Sequence, residues 1–205
     1  MARGAGTRTR ILDVAQDAIL AKGFEATSIE EIVANAEITR SGFFYHFKDK
    51  NALACALIER HIEVEDQIFD DLLGRAHELS DDPLQSALIG FKLLAELIED
   101  MPGGHPGCIV ATAAYQNRLF NKEVHAANRR AALGWRKRFR AMFDEIAAVY
   151  PPNDDVDLDH LADMVSGVIE GGIVMARAVG EPHLTSQQVL LLRSYVKLLF
   201  SPRLQ

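Results

Sequence analysis

An excess of basic charge is the first thing this sequence lacks. Its 205 residues hold 22 Lys+Arg against 29 Asp+Glu, a formal net charge of −7. That excludes a polycation that coats nucleic acid indiscriminately. Cysteine is scarce: Cys55 and Cys108 alone cannot build a disulfide framework and fit a reducing compartment. Proline is scarce too, at 7 residues, and no stretch is of low complexity. No apolar run reaches the ~18 residues of a membrane span. The opening MARGAGTRTR is basic with no apolar stretch behind it, so no secretory signal is expected there. The expected location is cytoplasmic, with no membrane partner. Phosphate-binding loops, nucleophile motifs and metal-ligand spacings are missing as well. His61 and Glu65 share a helix face at i,i+4, but two ligands without a third make a poor metal site. No enzymatic activity, cofactor or metal is expected.

What is present is an ordinary globular composition, 48% hydrophobic and 25% charged, with charge unevenly spread. Residues 1–50 hold seven basic and seven acidic residues, including Arg3, Arg8 and Arg10 with no acid among the first twelve. The whole net charge of −7 therefore belongs to residues 51–205. Two jobs in one chain are implied.

Apolar periodicity is helical throughout, and no strand-like alternation is sustained, so the fold class is all-α with about nine helices. Ile11, Val14, Ala15, Ala18 and Ile19 mark a first helix ending near Gly23. Ser28 with Glu31 forms a capping box that opens a second, with Ile29, Ile32, Val33 and Ala36 inward. Thr39 caps a short third helix to about His46, and Asp49 or Asn51 starts a long fourth. Asp81-Asp82-Pro83 opens a helix to about Asp100. The Pro/Gly-rich segment 101–107 is a loop, followed by a short helix from Cys108 and a long one from Lys122 to Tyr150. Val156–Val179 and Thr185–Phe200 complete the set. The expected division is residues 1–52 as one domain and 53–205 as another.

Two helices joined by a three- or four-residue turn fit a helix-turn-helix. The second helix of that motif enters the DNA major groove with its N-terminal residues toward the base edges. Thr39, Arg40 and Ser41 stand at that end. Arginine pairs bidentately with guanine, and hydroxyls serve bases or phosphates. Gly42 has no side chain, so backbone can approach; Tyr45 and His46 can reach phosphates, with Lys48 and Lys50 just beyond. Phe43, Phe44 and Phe47 fall at core spacing.

The segments Thr27-Ser28-Ile29-Glu30-Glu31-Ile32-Val33, Thr39-Arg40-Ser41-Gly42-Phe43-Phe44-Tyr45-His46-Phe47 and Lys48-Asp49-Lys50-Asn51-Ala52-Leu53 resemble the DNA-binding domain of the TetR family of transcriptional regulators. The likeness covers residues ~7–55. It implies a dimeric all-α protein that binds a double-stranded, palindromic operator. It further implies a C-terminal domain whose small-molecule effector releases the DNA. Thr27, Ser28, Thr39, Arg40, Ser41, Tyr45, His46 and Lys50 take DNA-contacting roles by the same likeness. One position departs: where the family usually has glycine in the turn before the recognition helix, this chain has Glu37. In a left-handed turn a non-glycine residue costs roughly 1–2 kcal/mol.

The last two helices are apolar around much of their circumference, which a protomer this small has little interior to bury. They are expected to form a two-fold interface through Val165, Val168, Gly172, Leu192, Val196 and Leu199, with Gly167 and Gly171 allowing close approach. An effector site is expected between the middle helices. Candidates are Phe69, Phe91, Leu94, Cys108, Tyr115, Trp135, Phe139, Met164 and Glu170. A carboxylate at 170 in an apolar helix needs a partner. Cys108 stands at an expected helix N-terminus, which lowers a thiol pKa. The preferred reading of Cys108 is a small buried hydrophobe, though Gly107-Cys108 slightly resembles the redox-sensing cysteines of some TetR-family members. Arg129, Arg130, Arg136, Lys137, Arg138 and Arg140 point several ways from one helix and read as a face paired with acids. The reading from another class is a helical metabolite-binding protein or enzyme without DNA function.

Overall fold

The computed structural model describes residues 2–201, with side chains from residue 6 onward. The side chain of Arg3 therefore lies outside the described residues. Within them are nine α-helices and no strand: α1 Ala2–Ala26, α2 Ile29–Asn35, α3 Arg40–His46, α4 Lys50–Leu79, α5 Pro83–Glu99, α6 Ile109–Tyr115, α7 Lys122–Val149, α8 Leu158–Val179 and α9 Leu184–Phe200. A single 3-10 turn, Asn117–Leu119, follows α6.

The helix starts are set by side-chain caps. Ser28, Thr39, Asp49 and Asp82 accept the N–H of Glu31, Gly42, Ala52 and Gln85 at 3.1, 3.1, 2.8 and 2.7 Å. Asp157 caps α8 through the N–H groups of Asp159 and His160, which hold its carboxyl below the usual range. The expected capping box is only half made. Glu31 supplies its N–H to Ser28, but its carboxylate holds Lys22 Nζ at 2.6 Å, an ionic partner that outcompetes a bond back to Ser28. Gly23 interrupts α1 at φ 86°, ψ 167°. There the Gln116 amide lies 2.9 Å from where a Cβ would stand, so both conformation and space require glycine.

Two compact units result. The first comprises Met1–Val64 with Cys108–Ala132, the second Glu65–Gly107 with Leu133–Gln205. This differs from a boundary at 52/53, which falls inside α4. The cause is local packing around the C-terminal end of α1. Gln116 Oε1 accepts the Phe24 N–H at 2.7 Å, Phe24 meets Phe120 edge-on at 4.8 Å, and Asn51 Oδ1 accepts the Asn121 N–H at 3.0 Å. Residues distant in sequence thus belong to this first unit, the head.

The second unit has one core, built from α5, α7, α8 and α9. Leu88, Phe143, Ile146, Val165, Val189, Val196 and Phe200 are essentially inaccessible to water. Gly172 of α8 lies against Thr185 of α9, where a Cβ would come within 3.1 Å of the Thr185 Cα. Three of the basic residues of α7 in this unit are paired with acids as expected. Arg136 binds Asp163 at 2.6 Å, Arg138 binds Asp66 and Asp70, and Arg140 binds Asp144 and Asp159.

The expected interface residues sit on the inner side of these helices. Val165, Leu192, Val196 and Leu199 are at most 4% exposed and belong to the protomer's own core. Gly172 is spent on the α8–α9 approach, and Val168 packs half-buried on the core. The error is one of helix face: both faces of α8 and α9 are apolar, so composition does not tell them apart. Outward stand Val174, Met175, Leu191, Tyr195 and Leu198, with open space above Gly167 and Gly171.

Candidate functional site

Helix α3 has only seven residues, and its position is fixed from within. Phe43 is fully buried and Phe47 nearly so, with ring centroids 5.8 Å apart. Ile32 and Ala36 beside them are buried as well. The turn before α3 is tight. Glu37 and Ile38 donate their N–H groups to Ala34 and Val33 at 3.2 and 3.1 Å, and Glu37 takes φ 51°. The left-handed position expected at residue 37 is thus occupied by a glutamate, which stores strain of order 1 kcal/mol.

Because the inner face is filled by phenylalanine, the outer face is free for polar groups. Thr39, Arg40, Ser41 and Tyr45 are exposed, Tyr45 at 83%. Thr39 Oγ1 accepts the Gly42 N–H and lies 3.0 Å from Ser41 Oγ, so the two hydroxyls are held side by side at the helix start. Arg40 reaches Glu30 at 3.4 Å and stacks 5.8 Å over Phe44. Both partners of this ion pair are mostly exposed, so it holds Arg40 weakly. Ser28 and Lys48 are exposed and His46 is half-buried beside Tyr45. Together these groups form one polar surface around the α3 N-terminus.

Three expectations for this surface need correction. Thr27 is wholly buried, donating its hydroxyl to the Gly23 carbonyl at 2.8 Å; it secures the α1–α2 corner and does not face solvent. Lys50 donates its ammonium to the Phe24 carbonyl. Burial pushes its pKa down, against the opposing pull of Glu25. Its charge is therefore engaged inside the head. Phe44, expected as core, is 41% exposed and lies under Arg40.

The second unit contains a cavity between α4, α5, α7 and α8. Its walls are Ile68, Phe69, Leu94, Leu97, Ile98, Met101, Trp135, Phe139 and Ile169, with Glu65, His105, Ser166 and Glu170 as the polar members. Mouth included, the void is about 620 Å³. Burial and the neighbouring Glu170 and Asp66 push the Glu65 carboxyl up to about 7, with a hydrogen bond from Trp135 opposing. Burial, then Arg177, holds the His105 imidazole below its usual value.

Of the expected effector residues, Phe69, Leu94, Trp135, Phe139 and Glu170 line this cavity. Phe91 is a core residue and Met164 packs on that core. Tyr115 is 80% exposed at the end of α6. Cys108 is buried at the α6 start, 3.4 Å from the Ala111 N–H and 3.3 Å from His61 Nε2, within the first unit. Sequence reading missed Glu65 and His105. For Glu65 a signal existed: it lies on the apolar side of α4 with Phe69 four residues on. Spacing instead drew attention to its pairing with His61. No group of three or more potential metal ligands occurs among the described residues.

Comparison with known proteins supplies the context. A family model described as "Bacterial regulatory proteins, tetR family" matches residues 11–57. The transcriptional regulator AcuR of Cereibacter sphaeroides is 26% identical over 159 residues, 76% of this chain and 69% of that protein. The HTH-type transcriptional repressor NemR of Escherichia coli K12 is 30% identical over 67 residues, 33% of this chain and 34% of its own length. A TetR-family regulator from Agrobacterium tumefaciens superposes with TM-score 0.79 at 18% identity, over 97% of this chain and 100% of that one. Reduced E. coli NemR does so with TM-score 0.75 at 17% identity, over 96% and 100%. The family match falls on the helices that build the polar surface around α3, and the fold likeness extends over nearly the whole chain. Residues 11–57 of this chain match the tetR family of bacterial regulatory proteins, and the fold of the whole chain is that of solved TetR-family regulators.

Proposed function

We propose that this regulator is a homodimeric repressor that reads a palindromic operator with α3 and leaves it when a small molecule fills the cavity of the second unit. The observation that carries the reading is the build of α3: a helix seven residues long, anchored by Phe43 and Phe47, with Arg40, Ser41 and Tyr45 turned to solvent. Arg40 leaves Glu30 and takes a base edge in the major groove. Thr39, Ser41, Tyr45 and His46 hold phosphates and sugars, which fix register but carry no sequence information. Ser28, Gly42 and Lys48 complete the contact edge. Lys50 acts indirectly, by tying the start of α4 to the end of α1.

Dimerisation uses the outward face of α8 and α9, through Val174, Met175, Leu191, Tyr195 and Leu198, a self-complementary apolar patch of the kind a two-fold axis requires. The dimer sets the separation of the two α3 helices to about one turn of DNA. Effector in the cavity favours a different separation, and the operator is released. Proteins of this family act on transcription, and no catalytic role is assigned to the cavity.

The test is retention of DNA from upstream of the protein's own gene, against unrelated DNA, at two salt concentrations. Specific retention that weakens steeply with salt is expected. Equal retention of both DNAs would overturn the reading in favour of a helical metabolite-binding protein.

A further inference from the structure

Resting on α3 as the reading helix, we propose that Arg8 of α1 is a second DNA contact of each head, holding a backbone phosphate at the end of α3 opposite Arg40. The first twelve residues carry three arginines and no acid, all outside the helix-turn-helix. Arg8 is exposed, and its guanidinium carbon lies 5.3 Å from the centroid of the Phe47 ring. Phe47 closes α3. His46 lies beside the same ring with centroids 6.5 Å apart, and the exposed Lys48 follows in the chain. Basic groups from two distant parts of the sequence therefore gather at one ring. Asp49, the acid next in the chain, is turned to the Ala52 N–H as the cap of α4.

Other arginines of the chain are answered by carboxylates. Arg60, Arg118, Arg136, Arg138 and Arg140 each meet one within 3.3 Å. Arg8 has no such neighbour on its own helix: the places three and four residues away hold Gly4, Ala5, Ile11 and Leu12. Among the described residues it forms no ion pair, and an aromatic face holds it instead. Stacking fixes the planar guanidinium and leaves its N–H donors unspent. A phosphate is the acceptor that such a fork binds bidentately. The seven residues of α3 span about 10 Å, so the two arginines reach different parts of the groove. Arg40 takes a base edge and Arg8 the sugar–phosphate rim beside His46 and Lys48. A contact there fixes register and adds affinity without reading sequence.

The full-length protein, Arg8→Met and Arg8→Lys are titrated onto DNA from upstream of the protein's own gene and onto unrelated DNA, each over a salt series. Methionine keeps an apolar cover on Phe47 and loses the charge, whereas lysine keeps the charge. Each lost phosphate contact lowers the slope of log affinity against log salt by about 0.9, so a dimer of Arg8→Met should lose about 2 on both DNAs. Between about 50 and about 200 mM salt the parent should thus shed roughly tenfold more affinity than Arg8→Met. Preference for the upstream DNA and the melting temperature should not change, and Arg8→Lys should keep the parent's slope. An unchanged slope in Arg8→Met, or the same fall in Arg8→Lys, overturns the proposal. With a lowered melting temperature, an unchanged slope makes Arg8 a cover for Phe47 alone. A loss confined to the upstream DNA overturns it as well, since that marks a base contact. The two readings fail separately. If the parent holds both DNAs alike, operator reading by α3 fails, while the slope on unrelated DNA still decides Arg8. If the preference is present and the slope does not move, Arg8 fails and operator reading stands.

Discussion

Residues 39–47 leave Thr39, Arg40, Ser41 and Tyr45 in water above the buried Phe43 and Phe47, whereas the cavity of the second unit keeps two carboxyls inside apolar walls. The reading surface is thus largely separable from the fold beneath it: Thr39 also caps α3, but Arg40, Ser41 and Tyr45 are exposed and contribute little to stability, while Phe43 and Phe47 are buried. In the cavity the same residues shape the core and meet the ligand. Substitution at α3 should therefore divide cleanly into loss of fold or loss of recognition, while substitution in the cavity should move both together.

The largest effect tests the first half of that contrast. Phe43→Ala removes a fully buried ring and should cost about 3–5 kcal/mol, enough to unfold the head in a denaturant titration. Arg40→Ala, three residues away, should leave the melting curve in place. It should weaken specific DNA binding by roughly 1–3 kcal/mol in a binding isotherm. An Arg40→Ala protein that melts early would break the separation.

Glu65 tests the second half. Its carboxyl in the folded protein is pushed from 4.5 up to about 7 by burial, then by Glu170 and Asp66. The folded state therefore holds a proton that the unfolded state has already lost between those values. The resulting cost is absent below about pH 4.5, grows as pH rises, and is complete above about 7. Glu65→Gln should accordingly stabilise the protein at pH 8 by roughly 1–3 kcal/mol and change little at pH 4.5, read as denaturant midpoints at both pH values. A gain of equal size at both would show that the carboxyl is not buried with its neighbour.

The smallest effect belongs to Glu37. Glycine there should relieve the φ 51° strain and stabilise the head by about 1 kcal/mol. It also removes a negative charge beside the α3 start, so specific DNA affinity should rise modestly at low salt and converge with the parent at high salt.

Much of this contrast could be read from the chain itself. Ser28, Thr39 and Asp82 announce their caps because cap chemistry is local, and Glu37 announces a strained turn because its neighbours fix the turn length. The helix count follows from periodicity. What could not be read is which way a helix with two apolar faces turns. Val196 and Leu198 differ by two residues, yet one is fully buried and the other 73% exposed; packing of α9 between α5 and α8 decides it. Thr27 and Lys50 were misplaced for a related reason. Their types suit DNA, but each finds a backbone carbonyl, Gly23 or Phe24. Only tertiary structure brings Lys50 within reach of Phe24.

The central claim is that the exposed tip of α3 reads DNA sequence. A hydroxyl-radical footprint on the region upstream of the protein's own gene tests it most directly. The account predicts two protected half-sites, symmetric and about one helical turn apart, both needing roughly 5–150-fold more protein with Arg40→Ala at unchanged thermal stability. Uniform protection along the DNA, or half-sites protected at the same concentration by Arg40→Ala, would contradict it.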